Sequence, residues 1–353
     1  MARIAVFSKY FGYNVGGAER SMLALMRALE AEGHEIVAYV NRTPKHYGAG
    51  ERRFELPGSW VVREFSLPVD WTRFRFVEYL LCRVALQGIM RGMQDVDQLY
   101  SYGTLAPGVL RGFPRKRVYL VRDEYGLGWN RNYYKGFRAL VQRLYFLVEV
   151  PFRMVWMRDL RKVASSSELI ANSCFIAAGL EQLAPASSIR IIPPQIDAAQ
   201  LTDEYERAPL IPPGRRGVVA VGDNILKGGD IVRRVARLMP ERRFYLFDRK
   251  YTVPVVDGNM TFMPWQSQAG VLYRYADMVM VASRVNEAFP RVVVEAQALG
   301  IPVVASHRGG LPEAIADPSM LVEAIEDPEE WVKKIRENIN IIGGRVERSE
   351  RNA

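Results

Sequence analysis

Short apolar runs alternate with longer amphipathic runs along most of the chain. Residues 4–8 and 35–40 have the pattern of strands, and between them residues 18–32 repeat apolar side chains at helical spacing. A strand–helix–strand opening predicts a parallel sheet with a right-handed crossover. Further strands are predicted at 98–102, 118–121, 168–173 and 189–192. The pattern therefore indicates an α/β fold for the first part of the chain.

A stretch rich in proline and charge interrupts the alternation at residues 203–216, and we interpret it as a linker. Strands are predicted again at 217–221, 243–247, 260–263, 277–282 and 302–305, and helices at 271–275, 291–299 and 329–340. A chain of 353 residues is long enough for two domains with sizeable cores. We predict an N-terminal domain over residues 1–205, a C-terminal domain over 206–343 and a frayed tail over 344–353.

Composition narrows the classes of protein to consider. Hydrophobic residues make up 49% of the chain and charged residues 25%, which is typical of a globular protein. With two cysteines and three histidines, neither a disulfide framework nor a structural zinc site is expected. No uncharged apolar run approaches the roughly 20 residues that span a bilayer, and the run at 4–7 is too short for a signal peptide. We expect a cytoplasmic protein.

The net charge of +9 is concentrated in residues 1–205, which carry 27 Lys and Arg against 20 Asp and Glu. Such an excess suggests an anionic partner (a membrane surface, a phosphorylated acceptor or nucleic acid) or simply a well-solvated basic surface. No recognised nucleic-acid-binding motif is present, so we do not expect nucleic acid as a partner.

Residues 131–162 are the most unusual part of this basic half, with eight basic and two acidic residues around the run LYFLVEVPFRMVWM. Pro151 is expected to kink or break the helix. Two interpretations remain open: a basic amphipathic helix that lies in a membrane interface, or a helix that packs in the core and has basic flanks. The apolar side chains at helical spacing are Phe137, Leu140, Val141, Leu144 and Leu147.

Candidate chemistry concentrates between Ser283 and Glu313, where seven residues separate Glu287 from Glu295. A turn with Pro290 precedes the helix predicted at 291–299, whose free N–H groups suit an anion such as a phosphate. A carboxylate one turn into such a helix is typical of a group that reads a sugar hydroxyl. A G-I-P-V-V strand and a G-G-L-P-E loop follow in order.

This stretch resembles the donor-sugar signature of the retaining glycosyltransferases of family 4. The resemblance implies the GT-B fold, in which two Rossmann-like domains face each other across a cleft. It implies that Glu287 contacts hydroxyls of the donor sugar and that Glu295 holds the nucleotide ribose. It also implies that backbone amides around Phe289, Pro290 and Arg291 meet the diphosphate.

Two glycine-containing loops also fit the family. The resemblance implies that Gly16 and Gly17, ahead of the first helix, face the donor's phosphate and sugar; an ordinary tight turn is the alternative. Their spacing is not G-x-G-x-x-G, so NAD is not favoured. Lys227 and Gly228 match the lysine-glycine pair whose lysine neutralises the donor diphosphate; a solvated loop lysine is the alternative, and the accompanying motifs favour the phosphate role.

The chain departs from the family pattern at two positions. Arg122 stands where a histidine that contacts the donor sugar is often found, so it is a candidate sugar or acceptor contact, or a structural partner of the acidic residues that follow it. Asp223 replaces an arginine of the diphosphate site, and Arg122, Arg249 or Arg291 are candidates to compensate. Trp265 lies in the loop where the family places the nucleotide base, and it either stacks on the base or packs.

The D-x-D sequence at residues 95–97 is typical of the metal-dependent GT-A glycosyltransferases. Here it follows a predicted helix and precedes a short strand, as in the GT-B pattern, so we do not interpret it as a metal site. We expect no metal and no other cofactor.

The resemblance implies a metal-independent transfer, with retention, from a nucleotide-diphosphate sugar to a glycan, lipid-linked or small-molecule acceptor. Glu287 and Lys227 are the candidate catalytic residues. The alternative is a catalytically weak GT-B protein that binds nucleotide sugars or serves as a scaffold partner, which the changes at Arg122 and Asp223 motivate. The expected partners are the donor, an unidentified acceptor and, through residues 131–162, an anionic membrane at the inner face.

Overall fold

The computed structural model describes residues 1–13, 17–42, 56–70, 74–129, 131–185, 187–266 and 268–338. The chain divides into two compact units, Met1–Gln195 and Ile196–Ala353, so the division lies earlier than the predicted boundary after residue 205. Each unit contains its own seven-stranded sheet. The predicted tail over 344–353 lies outside the described residues.

The sheet of the first unit is parallel throughout. Its strand order is β3-β2-β1-β4-β5-β6-β7, so the order reverses between β1 and β4. A reversal of this kind opens a crevice at the carboxyl ends of the two strands. The strands are β1 Arg3–Phe7, β2 Glu35–Asn41, β3 Val61–Phe65, β4 Gln98–Tyr102, β5 Lys116–Val121, β6 Glu168–Ala171 and β7 Ile189–Ile191.

The described residues of this unit form five α-helices beside the sheet: α1 Gly17–Ala31, α2 Arg75–Arg91, α3 Ala106–Leu110, α4 Gly136–Ala164 and α5 Cys174–Leu183. The apolar spacing that predicts α1 is the spacing of its buried face. Met22 and Met26 are fully buried against Ile4 and Val6 of β1. The core of the unit therefore lies between the sheet and the apolar stripes of its helices.

A buried carboxylate ties α2, α3 and α4 together. Asp159 on α4 accepts a hydrogen bond from the Tyr79 hydroxyl of α2 at 2.8 Å. The same carboxylate pairs with Arg111, next to α3, at 2.6 Å and with Arg83 at 3.3 Å. The C-terminal half of α4 is therefore anchored by charge as well as by apolar packing, which includes Trp156.

The helix α4 continues through Pro151, so of the expected kink or break, the break does not occur. Proline removes one amide from the helix, but contacts on both sides of it hold the backbone in place. Before it, Glu149 accepts a hydrogen bond from the amide of Phe76 at 3.1 Å, and after it the indole of Trp156 donates to the carbonyl of Thr104 at 2.7 Å.

Apart from the edge strand β10, the strands of the second sheet follow the same order as the first six strands of the first sheet. The order of the second sheet is β10-β11-β9-β8-β12-β13-β14, with a reversal between β8 and β12, and only the edge strand β10 runs antiparallel to its neighbour. The strands are β8 Gly217–Val221, β9 Phe244–Asp248, β10 Val255–Asp257, β11 Met260–Pro264, β12 Ala276–Val281, β13 Val303–Ser306 and β14 Leu321–Val322.

The helices of this unit are α6 Ala198–Arg207, α7 Gly229–Leu238, α8 Ala269–Tyr273, α9 Arg291–Ala298 and α10 Leu311–Ala314. Residues 328–338 form a further helix. Trp331 and Ile335 share one face of that helix, and both side chains are fully buried.

The predicted linker begins inside α6, because the charged residues of that run surround a narrow apolar face. Asp197 caps the helix by accepting a hydrogen bond from the amide of Gln200 at 2.9 Å, and Leu201 is buried. Glu204 accepts a hydrogen bond from the amide of Gly270 in α8 at 3.1 Å. The start of the predicted linker is thus part of the second unit.

Replacing Asp159 with asparagine should lower the free energy of unfolding by about 2–3 kcal/mol, because two guanidinium groups lose their buried carboxylate. The matched control is Asp203→Asn, which removes an exposed pair with Arg207 in α6 and should cost less than about 0.5 kcal/mol. Urea unfolding followed by circular dichroism measures both. Equal losses in the two variants would contradict a structural role for Asp159.

Candidate functional site

The loop after β8 holds Lys227 at the strand-order reversal of the second sheet. The side chain of Asn224 accepts hydrogen bonds from the amides of Leu226 and Lys227, both at 3.0 Å, and so turns the chain ahead of α7. Gly228 has φ +74°, and a Cβ there would lie 2.0 Å from the carbonyl oxygen of Ala282, just after β12. Only glycine permits this approach of the two loops.

Glu287, in the loop after β12, meets Lys227 directly. Its Oε1 accepts hydrogen bonds from Lys227 Nζ and, at 2.7 Å, from the hydroxyl of Ser283. Burial would raise the pKa of Glu287, but the charge and hydrogen bond of Lys227, with the Ser283 bond, hold it below its ordinary value. Two predicted catalytic residues, sixty positions apart, therefore form one ion pair at the sheet edge.

The glycine pair of the G-G-L-P-E loop fixes the backbone that carries Glu287. The amide of Gly310 donates to the carbonyl of Glu287 at 2.6 Å. A Cβ on Gly310 would lie 2.0 Å from the carbonyl oxygen of Ala288, and one on Gly309 would lie 2.4 Å from that of Glu287. This part of the sequence signature thus serves close backbone packing around Glu287.

The helix α9 begins directly after the Glu287 loop, with Pro290 at its N-cap position. Phe289 is half-buried and packs against the core. Glu295, one turn into the helix, accepts a hydrogen bond from the Tyr273 hydroxyl at 2.9 Å and pairs with Arg291 at 3.0 Å. The carboxylate and the arginine expected to meet the ribose and the diphosphate are therefore neighbours on one face of α9.

Trp265 follows β11, and its side chain is 39% exposed. The guanidinium of Arg249, just after β9, lies 5.6 Å from the centre of the indole ring. A cation over an aromatic face holds both groups in place. The partly exposed ring is consistent with either packing or stacking on a base.

Asp223, at the position of the missing arginine, points inward, with a side chain only 1% exposed. It pairs with Arg233 of α7 and with Lys250, both at 2.5 Å, and it accepts a hydrogen bond from the Tyr251 hydroxyl. Burial would raise its pKa, but the hydrogen bonds from these three side chains lower it to about 2. The carboxylate is therefore charged and holds two cations beside the Lys227 loop.

A cavity of about 270 Å³ lies at the matching reversal point of the first sheet. Its walls come from the ends of β1 and β4, the starts of α1 and α2, and the turn after β5. The lining residues are Ser8, Lys9, Tyr10, Ala18, Glu19, Arg75, Glu78, Tyr102, Gly103, Thr104, Leu105, Arg122, Asp123 and Gly126. Doubly wound sheets carry their ligands at this place.

Lys9 organises one side of this cavity. It follows β1, is nearly buried, and its ammonium lies 2.5 Å from both Asp70 and Glu78. Arg75, one turn before Glu78 on α2, lies 3.7 Å from the centre of the Tyr125 ring. The charged groups on this wall are thus held in fixed positions.

Glu19, in the first turn of α1, forms the opposite wall and is 6% exposed. Burial raises its pKa to about 7, although hydrogen bonds from its own amide and Tyr102 and the charge of Arg122 act in the other direction. Gly17 is the exposed first residue of α1, whereas the predicted Gly16 lies outside the described residues.

The cavity adds residues that the sequence did not single out. Lys9 comes directly after an apolar strand and Glu19 lies in the first turn of a predicted helix, and both signals favour the ligand-binding edge of a sheet. Arg75 and Glu78 carry no such signal, because nothing in their own segment shows that α2 borders this edge.

The described residues contain no group of three or more His, Cys, Asp and Glu side chains that could hold a metal ion. The two aspartates of the D-x-D sequence have structural partners. Asp95 pairs with Arg3 at 2.7 Å and with Arg63 at 2.5 Å, and Asp97 accepts a hydrogen bond from the amide of Arg3 at 2.9 Å.

The first half of α4 exposes its apolar stripe to solvent, so the core-packing interpretation is wrong for that half, whereas the second half packs in the core through Trp156 and Leu160. The five side chains at helical spacing are 49–78% exposed, and Val148 and Met154 extend the stripe with 58% and 68%. None of the helices that the structure describes combines the length and the apolar character needed to cross a bilayer.

The charges exposed along this stripe have one sign. The two carboxylates of α4, Glu149 and Asp159, are buried, and so is Glu78, the carboxylate of α2. The neighbouring helix α2 adds the exposed side chains of Leu81 and Val84. We call the exposed residues of α2 and α4 the α2–α4 surface. Its exposed cations on α4 are Arg138, Arg143, Arg158, Arg161 and Lys162.

Comparison with known protein families matches both parts of the chain. The model of Glycosyltransferase Family 4 matches residues 15–200, and that of Glycosyl transferases group 1 matches residues 256–348. A D-inositol 3-phosphate glycosyltransferase of Mycobacterium sp. (strain JLS) is 35% identical over 185 residues. That match covers 46% of this chain and 42% of the relative's length.

Solved structures show the same fold at low sequence identity. The structure of Anabaena Alr3699/HepE in complex with UDP-glucose has 17% identity and a TM-score of 0.63, and it covers 99% of this chain and 91% of its own. The catalytic domain of starch synthase IV from Arabidopsis thaliana, bound to ADP and acarbose, has 10% identity and a TM-score of 0.64, with 96% and 92% coverage. The predicted GT-B fold class is confirmed.

The buried Glu19 should make stability depend on pH. Because its folded pKa of about 7 lies above the ordinary value of 4.5, the protonated group favours folding. That contribution is fully present below pH 4.5 and is lost as the pH rises through 7. Relative to Glu19→Gln, the wild-type free energy of unfolding should fall by on the order of 2–3 kcal/mol between about pH 5 and 8. Parallel pH profiles would contradict a raised pKa.

Proposed function

The chain belongs to glycosyltransferase family 4, and on that premise we propose that it transfers a sugar from a nucleotide-diphosphate donor to an acceptor. The observation that carries the proposal is the Lys227–Glu287 ion pair at the strand-order reversal of the second sheet. Similar structures contain UDP-glucose or ADP, which supports a nucleotide-sugar donor for this chain.

In this proposal the donor binds along the loops that follow β8 and β12. The diphosphate competes with Glu287 for the ammonium of Lys227 and receives hydrogen bonds from the first amides of α9, whose N-terminus favours an anion. The freed carboxylate of Glu287 then accepts hydrogen bonds from hydroxyls of the sugar. Glu295 binds the ribose, and Trp265 stacks on the base.

Negative charge develops on the diphosphate as it leaves. A fixed ammonium and fixed amides stabilise that charge without having to reorganise, which is the largest contribution in many enzymes. We assign this role to Lys227 and the start of α9, with no metal ion. We further propose retention at the anomeric carbon, with the leaving phosphate helping to deprotonate the acceptor hydroxyl.

The acceptor is proposed to bind in the cavity of the first unit. Carboxylates such as Glu19 and Glu78 accept hydrogen bonds from hydroxyl groups, while Arg75 and Arg122 suit an anionic substituent. The relatives named for inositol 3-phosphate support a polyhydroxylated acceptor with a phosphate. The exposed Gly17 would border the same ligand.

We also propose that the α2–α4 surface binds an anionic membrane at the cytoplasmic inner face. Exposed apolar side chains with cations beside them, and carboxylates confined to buried positions, are the features of an interfacial helix. A membrane partner accounts for both the exposed stripe and the sign of the surrounding charge. A lipid-linked acceptor would then be delivered at the same surface.

The second candidate function is a catalytically weak protein that binds nucleotide sugars as a scaffold partner. The observation in its favour is Asp223, which replaces the arginine of the diphosphate site and faces inward. Binding and turnover of the donor distinguish the two candidates.

Donor turnover should depend on the ion pair. Over a panel of nucleotide sugars, Glu287→Ala and Lys227→Ala should each lower kcat/KM for the preferred donor by on the order of 10²–10³-fold, because each removes a contact to the reacting groups. Turnover is followed by release of the nucleotide, and the anomeric configuration of the product by NMR.

The control for these variants is Lys333→Ala, an exposed lysine of the same unit, which should keep full activity. Binding of a nucleotide sugar with no turnover would favour the scaffold candidate. Failure of the wild-type protein to bind any member of the panel would exclude both candidates, and an inverted product would contradict retention.

Membrane binding should require both components of the α2–α4 surface. The wild-type protein should float with vesicles that contain phosphatidylglycerol and lose this binding in high salt or with pure phosphatidylcholine. Leu144→Glu with Leu147→Glu should weaken binding at least about tenfold, since apolar contacts are replaced by charges that anionic lipid repels.

The matched control for flotation is Leu210→Glu, which changes an exposed leucine of the second unit and should leave binding unchanged. If the wild-type protein stays at the bottom of the gradient with anionic vesicles, the membrane proposal fails. The proposed transfer reaction would be unaffected by that result.

A further inference from the structure

A second lysine, Lys250, approaches the loop that carries Lys227. The side chain of Lys227 passes over Gly222, where a Cβ would lie 2.8 Å from its Cγ. The ammonium of Lys250 lies 3.3 Å from the carbonyl oxygen of Asp223. Both lysines therefore meet the same dipeptide at the carboxyl end of β8, where the strand order reverses.

The two lysines differ in how their charge is balanced. Lys227 faces the single carboxylate of Glu287, whereas Asp223 faces two cations, Arg233 and Lys250. The Asp223 side chain is 1% exposed, while that of Lys250 is 49% exposed. The cations of this cluster are therefore accessible to solvent, whereas its carboxylate is buried.

Two further neighbours, Asp248 and Phe262, do not neutralise the positive charge that this cluster exposes. The carboxylate of Asp248 accepts hydrogen bonds from the backbone amides of Asp223 and Lys250, at 2.6 and 2.9 Å. The guanidinium of Arg233 lies 4.9 Å from the centre of the Phe262 ring. Lys250 is the more exposed of the two cations, and the hydrogen bond to Asp223 raises its pKa, so it carries a full positive charge.

We propose that Lys250 is a second phosphate-binding residue of the donor site and that Asp223 is the residue that positions it. The inference rests on the proposed function, since it requires a diphosphate at the loop after β8. Lys250, just after β9, then supplies the positive charge that is missing after β8, where Asp223 replaces the arginine of the diphosphate site. The ammonium binds the diphosphate as a point charge, next to Lys227.

This assignment also explains why an aspartate suits position 223. A side chain at that position turns into a nearly closed space already lined by Arg233 and Lys250. An arginine there would bring a third cation together with these two and leave each without its carboxylate. Asp223 is therefore part of the proposed phosphate-binding site, because its carboxylate fixes the position of the Lys250 ammonium.

The test compares nucleoside diphosphates with their nucleosides by calorimetry. UDP, ADP and GDP are screened with the wild-type protein, and the tightest is used for the variants. Lys250→Ala should weaken binding of that diphosphate roughly tenfold, equivalent to about 1.4 kcal/mol, and leave binding of the matching nucleoside unchanged. Lys250→Arg should retain most of the affinity, and Lys333→Ala is the control.

Asp223→Asn tests the positioning role. It should weaken binding of the diphosphate as much as Lys250→Ala does. The double variant should bind the diphosphate no more weakly than either single variant, because both changes remove the same interaction. Thermal melting of each variant establishes that it is folded at the temperature of the measurement.

The outcomes separate this inference from the proposed function. If the wild-type protein binds no nucleoside diphosphate, the proposed function fails. If it binds one, and Lys250→Ala binds it equally well, the inference is overturned while the proposed function stands. Equal losses for the diphosphate and the nucleoside would also overturn it, because they would assign Lys250 a purely structural role.

Discussion

The reversal of strand order in each sheet is the constraint on which both candidate sites depend. At a reversal, the connections from two neighbouring strands leave in opposite directions, and the carboxyl ends of those strands are left uncovered. In the first unit this brings Lys9 and Tyr102 to one cavity. In the second it brings Lys227 and Glu287 into contact. Neither pair is close in sequence, so the topology creates both sites.

The sequence predicts the central strands well and the edge strands poorly. Strands such as β1 and β8 are buried on both faces and appear as continuous apolar runs, whereas β3, β10 and β14 are short or partly exposed and lack that signal. The site follows the same rule. Glu287 and Lys227 lie in recognisable motifs, but the inward direction of Asp223 and its hold on Lys250 depend on β9 and α7 packing beside β8.

Burial gives similar side chains different roles in the two units. Glu287 is kept ionised by an ammonium, whereas the charge of Arg122 does not offset the desolvation of Glu19, whose pKa is raised. One carboxylate is therefore an acceptor of hydrogen bonds at neutral pH, and the other can also donate. A ligand with hydroxyl groups can use both kinds of partner. Because both residues are glutamates, the residue type alone does not distinguish the two roles.

The proline inside α4 has a consequence for how deeply that helix can enter a bilayer. Because Pro151 has no N–H, it cannot serve the carbonyl of Leu147 one turn earlier, on the exposed side of the helix. In hydrocarbon such a carbonyl costs several kcal/mol, whereas among lipid head groups water satisfies it. In the proposed membrane-bound state, the midpoint of α4 is therefore best accommodated at a hydrated depth, among the glycerol and phosphate groups.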